Sequence, residues 1–129
     1  MPFVRITLGA HGITPDDRAA LARVATTLMA EALGKRPDLT SVLVTEVPDA
    51  ERIWTVGDAF QPQAAVVEAF ITQGTNTPAE KADFIARMDA AVRRVLPHVA
   101  PATYVVLNEV AADAWGWGGR TQADRAAAQ

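Results

Sequence analysis

The sequence predicts an α+β fold: two tandem β-α-β units forming one four-stranded sheet with two helices on one face. Three observations carry this reading. A shift of 63 residues lays the chain over itself, so that "TPDDR" from Thr14 meets "TPAEK" from Thr77. The same shift puts "TSVLVTEV" (Thr40 to Val47) on "TYVVLNEV" (Thr103 to Val110), and Trp54 on Trp117. Finally, each half orders its signals as apolar run, capped helix, apolar run, which is the order of a β-α-β unit.

The first strand is "PFVRITL" from Pro2, and its repeat partner is "AVVEAFI" from Ala65. The helices start where Thr14 and Thr77 supply N-cap hydroxyls, Pro15 and Pro78 occupy the first helical position, and Asp17 and Glu80 follow three residues after the caps. Leu21, Val24, Ala25, Leu28, Met29 and Ala32 then recur at helical spacing, as do Phe84, Met88, Ala91, Val92 and Val95. Gly34 and Pro97 end the two helices. The runs after them are nearly continuous in apolar residues, as in covered strands, and right-handed crossovers make the two strands of each half parallel. The segment "DAERIWTVGDAFQPQ" (Asp49 to Gln63) reads as the linker, with Gly57 and Pro62 as breakers. The expected organisation is one domain over 1–121, made of repeats at about 1–60 and 64–121, with a tail over 122–129 that is a helical turn or frayed. Helices on one face leave the other sheet face bare, and a bare apolar face on so small a domain implies an oligomer.

Composition removes several function classes. Half of the 129 residues are hydrophobic and the net charge is -3, with no Lys/Arg block, so neither nucleic acid nor an anionic membrane is an expected partner. There is no cysteine, hence no thiolate chemistry and no cysteine metal site. His11 and His98 lie far apart with no carboxylate at ligand spacing, so no metal site is expected. Ser41 is the only serine and lacks a nucleophile-elbow motif. No apolar stretch reaches the roughly 18 residues of a membrane span, and Arg5 interrupts any signal-peptide pattern, so the expected location is cytoplasmic.

One unusual group remains. Pro2 follows the initiator methionine, and cytosolic processing removes a methionine that precedes proline, which leaves a free secondary amine at the start of an ordered segment. In an apolar cleft the ammonium form is disfavoured and the amine becomes a base near neutrality, which is what moving a proton between carbon and oxygen requires.

"MPFVRI", the Thr-Pro-capped helix, "TSVLVTEV" and "AWGWGGR" (Ala114 to Arg120) together resemble the 4-oxalocrotonate tautomerase superfamily. The two tandem units look closest to fused members such as malonate semialdehyde decarboxylase and cis-3-chloroacrylic acid dehalogenase. The resemblance implies the tautomerase/MIF-like fold, a homotrimer, no cofactor, and Pro2 as the catalytic general base or acid. It also implies a small carboxylate substrate held by nearby cations. The candidates for lining that substrate site are His11, in the loop after the first strand, Arg36 and Asp38, in "GKRPDL", Arg52 and Trp54, after the second strand, and Arg120, with His11 and the arginines as the carboxylate's partners. Trp54 would dry the pocket, and Asp38 matches a site aspartate of the decarboxylase. The family's second-strand arginine is replaced by Leu43 and, in the repeat, Val106, while the turn that carries the decarboxylase's arginines has Thr75 and Asn76. The expected function is keto–enol tautomerisation of a small 2-keto acid. The alternatives are decarboxylation or hydration of a short β-keto or unsaturated acid, and a non-catalytic trimeric relative. Glu46 and Glu109, at matching strand ends, are expected to be structural and to pair with a neighbouring chain. Tyr104 is expected in the core, and Trp115 and Trp117 at a trimer contact.

Overall fold

A computed structural model describes residues 2–128; the fate of Met1 and the last residue of the expected tail lie outside the described residues. The order is β1 (Phe3–Gly9), α1 (Pro15–Leu33), a 3-10 turn (Pro37–Leu39), β2 (Ser41–Glu46), α2 (Ala50–Ile53), and a small hairpin of β3 (Thr55–Val56) and β4 (Ala59–Phe60). The second half follows with β5 (Ala64–Thr72), α3 (Pro78–Val95), β6 (Tyr104–Val110), a hairpin of β7 (Gly116–Trp117) and β8 (Arg120–Thr121), and α4 (Gln122–Ala127). The expected linker is thus a short helix and a hairpin, and the expected tail carries a helix capped by Thr121 Oγ1, which accepts from Asp124 N–H.

The four long strands form one sheet in the order β2-β1-β5-β6. β1 is parallel to β2 and β5 is parallel to β6, each pair joined by a crossover that contains a helix. The halves meet through the antiparallel pair β1–β5, in register Phe3 to Phe70 and Gly9 to Ala64. Alternation along these strands separates the two faces. Val4, Ile6, Leu8, Val67, Ala69 and Ile71 point to the helices and are essentially unexposed. They pack with Leu21, Met29, Phe84 and Met88 in a single core.

Both helices begin as their sequences dictate. Thr14 Oγ1 accepts from Asp17 N–H while the Asp17 carboxylate accepts from Thr14 N–H, and Thr77 and Glu80 repeat the arrangement. Gly34 closes α1 in the left-handed conformation at φ 69°, with Lys35 N–H returning to Met29 carbonyl. The repeat even reproduces an ion pair: Arg18 meets Glu46 in the first half and Lys81 meets Glu109 in the second. Both glutamates therefore have partners within the chain, where pairing with a neighbouring chain was expected.

The bare face carries Arg5 and Glu68, which are repeat partners that stand opposite each other and bond at 2.9 Å. Phe3 stacks on Phe70 beside them, with ring centroids 5.7 Å apart. Leu43 on β2 and Tyr104 on β6 are exposed on the outer strands, Tyr104 by 66%. Tyr104 is thus no core residue, because its strand parity turns it away from the helices.

Gly9 marks where α2 crosses β1: a methyl group there would come within 2.6 Å of the Ala50 Cβ and 3.0 Å of the Trp54 ring. Gly9→Ala is expected to destabilise the domain by about 1–3 kcal/mol through overpacking, measured by denaturant unfolding. Glu80 and Glu109 have carboxyls held below the usual glutamate value, the first mainly by the Thr77 backbone N–H and the second mainly by Lys81. The folded state then binds fewer protons than the unfolded one. Stability should be fully present above about pH 4.3 and fall as pH drops through the lowered values. Thermal melts across the acid range should show this, and Lys81→Met should remove the Glu109 share of the acid loss.

Candidate functional site

The antiparallel junction decides which loops meet. Because β1 and β5 run oppositely, the start of β1 lies beside the start of β2 and the ends of β5 and β6. Pro2 therefore shares its end of the sheet with the α1–β2 connection, the β5–α3 turn and the segment after β6. Its ring is buried, and its carbonyl accepts from Ser41 N–H at 3.2 Å.

The α1–β2 connection brings Lys35, Arg36 and Asp38 to this end. Half-buried Lys35 donates from Nζ to Thr75 Oγ1 at 2.8 Å across the β5–α3 turn. Thr75 Oγ1 in turn donates to the Thr72 carbonyl, and Asn76 Nδ2 donates to the Leu33 carbonyl, locking the two connections together. Burial pushes the Lys35 ammonium below the usual lysine value, against the opposing pull of Glu80. Arg36 forms a forked pair with Asp38, with Nη2 to Oδ2 at 2.6 Å and Nε to Oδ1 at 3.2 Å. The turn that has Thr75 and Asn76 in place of the family's arginines is thus given its positive charge by a lysine from the other half.

The segment after β6 folds over the same end. Gly118 and Gly119 both have positive φ and join Trp117 to Arg120 in a two-residue hairpin, the turn chemistry a type I′ hairpin needs. A methyl on Gly116 would lie 1.8 Å from the Arg120 carbonyl oxygen, so the hairpin closes only with glycine there. A cavity of about 420 Å³ opens between this segment and the α1–β2 connection, lined by Arg36, Leu39, Trp117, Arg120, Gln122 and Arg125.

Of the residues expected from the sequence, Pro2, Arg36, Asp38 and Arg120 share this end of the sheet. His11, Arg52 and Trp54 do not. They lie beyond the far end of β1, a seven-residue strand and so about 20 Å away. His11 bonds Glu51 at 3.1 Å there, and Trp54 rests on Gly9. That placement has a simple origin: within one chain, residues that follow β1 and β2 occupy the end opposite to Pro2. The 63-residue repeat puts their counterparts at the Pro2 end, since Trp54 maps onto Trp117, and His11-Gly12 onto Gly74-Thr75. Lys35 was legible only as a helix-end lysine, because its partner is 40 residues away. Among the described residues no group of three or more His, Asp or Glu side chains could hold a metal ion. Among the described residues no helix is long and apolar enough to cross a membrane.

Comparison with known proteins fits this architecture. A family model described as "Tautomerase enzyme" matches residues 2–59, the first repeat. A solved fused 4-OT, wild type and an asymmetric trimer, is 25% identical, with 98% of this chain and 99% of that one covered at a TM-score of 0.81. A symmetric fused 4-OT trimer is 20% identical over 95% of this chain and 98% of that one, with a TM-score of 0.80. Macrophage migration inhibitory factor of Toxoplasma gondii is 23% identical over 92% of this chain and 98% of its own, with a TM-score of 0.73. No curated protein matches the sequence. The first repeat thus matches the tautomerase family, and the chain as a whole has the two-unit fold of fused 4-OT.

Proposed function

We propose that the chain is a proline-dependent keto–enol tautomerase of small 2-keto acids. The observation that carries the reading is the Lys35–Thr75 pair at the same end of the sheet as Pro2. A 2-keto acid needs two things from such a site: a base for the carbon–oxygen proton shift and a cation for its carboxylate. Pro2, once the chain starts at that residue, supplies a secondary amine whose buried ring disfavours the ammonium form. Lys35 supplies the cation, with the Thr75 hydroxyl as a second donor beside it. The amine takes a proton from the enol oxygen or the methylene carbon and returns it at the other position. No cofactor is required for that exchange.

Assembly as a homotrimer is part of the proposal. It is supported by the trimeric fused 4-OT neighbours and by the exposed Leu43, Tyr104 and Val106 on the face away from the helices. A second reading, decarboxylation or hydration of a short acid, is favoured by one observation, the presence of Asp38 at the same end. Asp38→Asn separates the two: loss of lyase turnover with ketonisation retained would favour the second reading.

Ketonisation of phenylenolpyruvate, followed by ultraviolet absorbance after intact mass has shown Met1 removed, tests the first reading. Pro2→Ala is expected to lower kcat by about 10²-fold or more. Absence of turnover in the processed wild type would overturn the reading. Lys35→Met is expected to raise KM by about 10- to 100-fold, the worth of one charge-assisted hydrogen bond. In the wild type KM should rise on the alkaline side at a lower pH than an ordinary lysine would give, because burial favours loss of its proton. Lys35→Arg should move that alkaline limb upward.

A further inference from the structure

Among the strand residues turned to the bare face of the sheet, Arg5 and Glu68 are the only charged ones. They also occupy a special place. The 63-residue shift maps Arg5 onto Glu68, and the antiparallel register sets the same two residues opposite each other. No other residue of β1 has its repeat partner as its register partner, so the local twofold that relates the halves passes between these side chains. Turning the chain about that twofold leaves the pair where it is and exchanges its signs. The outer strands change far less, because Leu43 of β2 and Val106 of β6 trade places, both apolar and both exposed. The pair is also open to further charge. Arg5 Nε and Nη2 donate to the Glu68 carboxylate at 2.9 and 3.4 Å, while the two side chains stay 42% and 31% exposed.

We propose, on the trimeric assembly put forward above, that the Arg5–Glu68 pair fixes the sense in which copies of this chain close into a homotrimer. All three protomers enter in one direction, and their Pro2 ends are equivalent. A duplicated chain offers its neighbours two ends of similar build, so apolar burial alone admits a copy in either sense. Three sheets that bury their bare faces toward a common axis bring β1 and β5 of each copy around it. With every copy in one sense, the Arg5 side of one adjoins the Glu68 side of the next, and the charges alternate around the axis. One reversed copy sets Arg5 against Arg5 at one junction and Glu68 against Glu68 at another. That repulsion disfavours the mixed ring, while the alternating ring gains attraction at every junction.

Sedimentation, together with the 1H–15N signals of the tryptophan indoles, tests this without any substrate. The chain has three tryptophans, so equivalent protomers give three indole signals. A reversed copy makes the protomers unlike and multiplies that set by up to threefold. The wild type is expected to sediment as a trimer with the three signals. Arg5→Gln combined with Glu68→Gln removes the selection, and this variant should remain a trimer while its indole signals split. Exchanging the charges, Arg5→Glu with Glu68→Arg, restores the alternation and the unsplit set. Refolding the wild type in about 1 M salt, where the screening length is about 3 Å, should produce the same splitting and serves if the neutral variant does not assemble. Split signals from the wild-type trimer, or unsplit signals from the neutral one, overturn the role of the pair and leave the trimer standing. A wild type that sediments as a monomer or a dimer overturns the trimeric assembly and this proposal with it. Neither readout involves turnover, so the tautomerase reading can fail without changing either result.

Discussion

The antiparallel pairing of β1 with β5 is the constraint on which the rest of the molecule depends. It joins two β-α-β units that each have one face to bury, and it puts Val4, Ile6 and Leu8 beside Val67, Ala69 and Ile71 under both helices. Either unit alone would leave that face to water, whereas a shared core removes it for both at roughly 25 cal/mol per Å² of apolar surface. The same pairing sets Arg5 against its own repeat partner Glu68. Identical units would place like charges opposite each other here, which is destabilising. Divergence after duplication has turned the contact into an attractive one.

Direction follows from that pairing, and the site follows from direction. With the halves reversed, the start of one half meets the turn after the first strand of the other. Pro2 thus shares its end of the sheet with Thr75 and Asn76, while Ala65, the residue at its repeat position, belongs to the end that holds His11, Arg52 and Trp54. Two ends of similar construction have consequently separated in chemistry. One has the proline, a half-buried lysine and an arginine-lined cavity. The other has an exposed His11–Glu51 pair and a tryptophan packed on Gly9.

On the proposed function, the Pro2 end retains a cation while changing the residue that supplies it. The family pattern draws its positive charge from arginines on the second strand or in the second-half turn. Here Leu43 and Thr75 stand in those places, and Lys35 crosses from the end of α1 to reach the turn. Charge at a site is defined by position in space, and two connections that meet there can exchange the task.

The sequence by itself determined the elements and their duplication. Capping boxes, helical spacing and the terminating Gly34 are local properties, so Thr14, Thr77 and the apolar stripes placed both helices, and the repeat placed all four long strands. It also singled out Pro2, a matter of chain position alone. What only the tertiary structure decided was which residues accompany Pro2. Lys35 with Thr75, or Arg125 with Trp117 and the Arg36 connection, are pairings set by the sense of the β1–β5 junction. That sense is not written in any local pattern, because a β-α-β unit looks the same in sequence whichever way its neighbour runs.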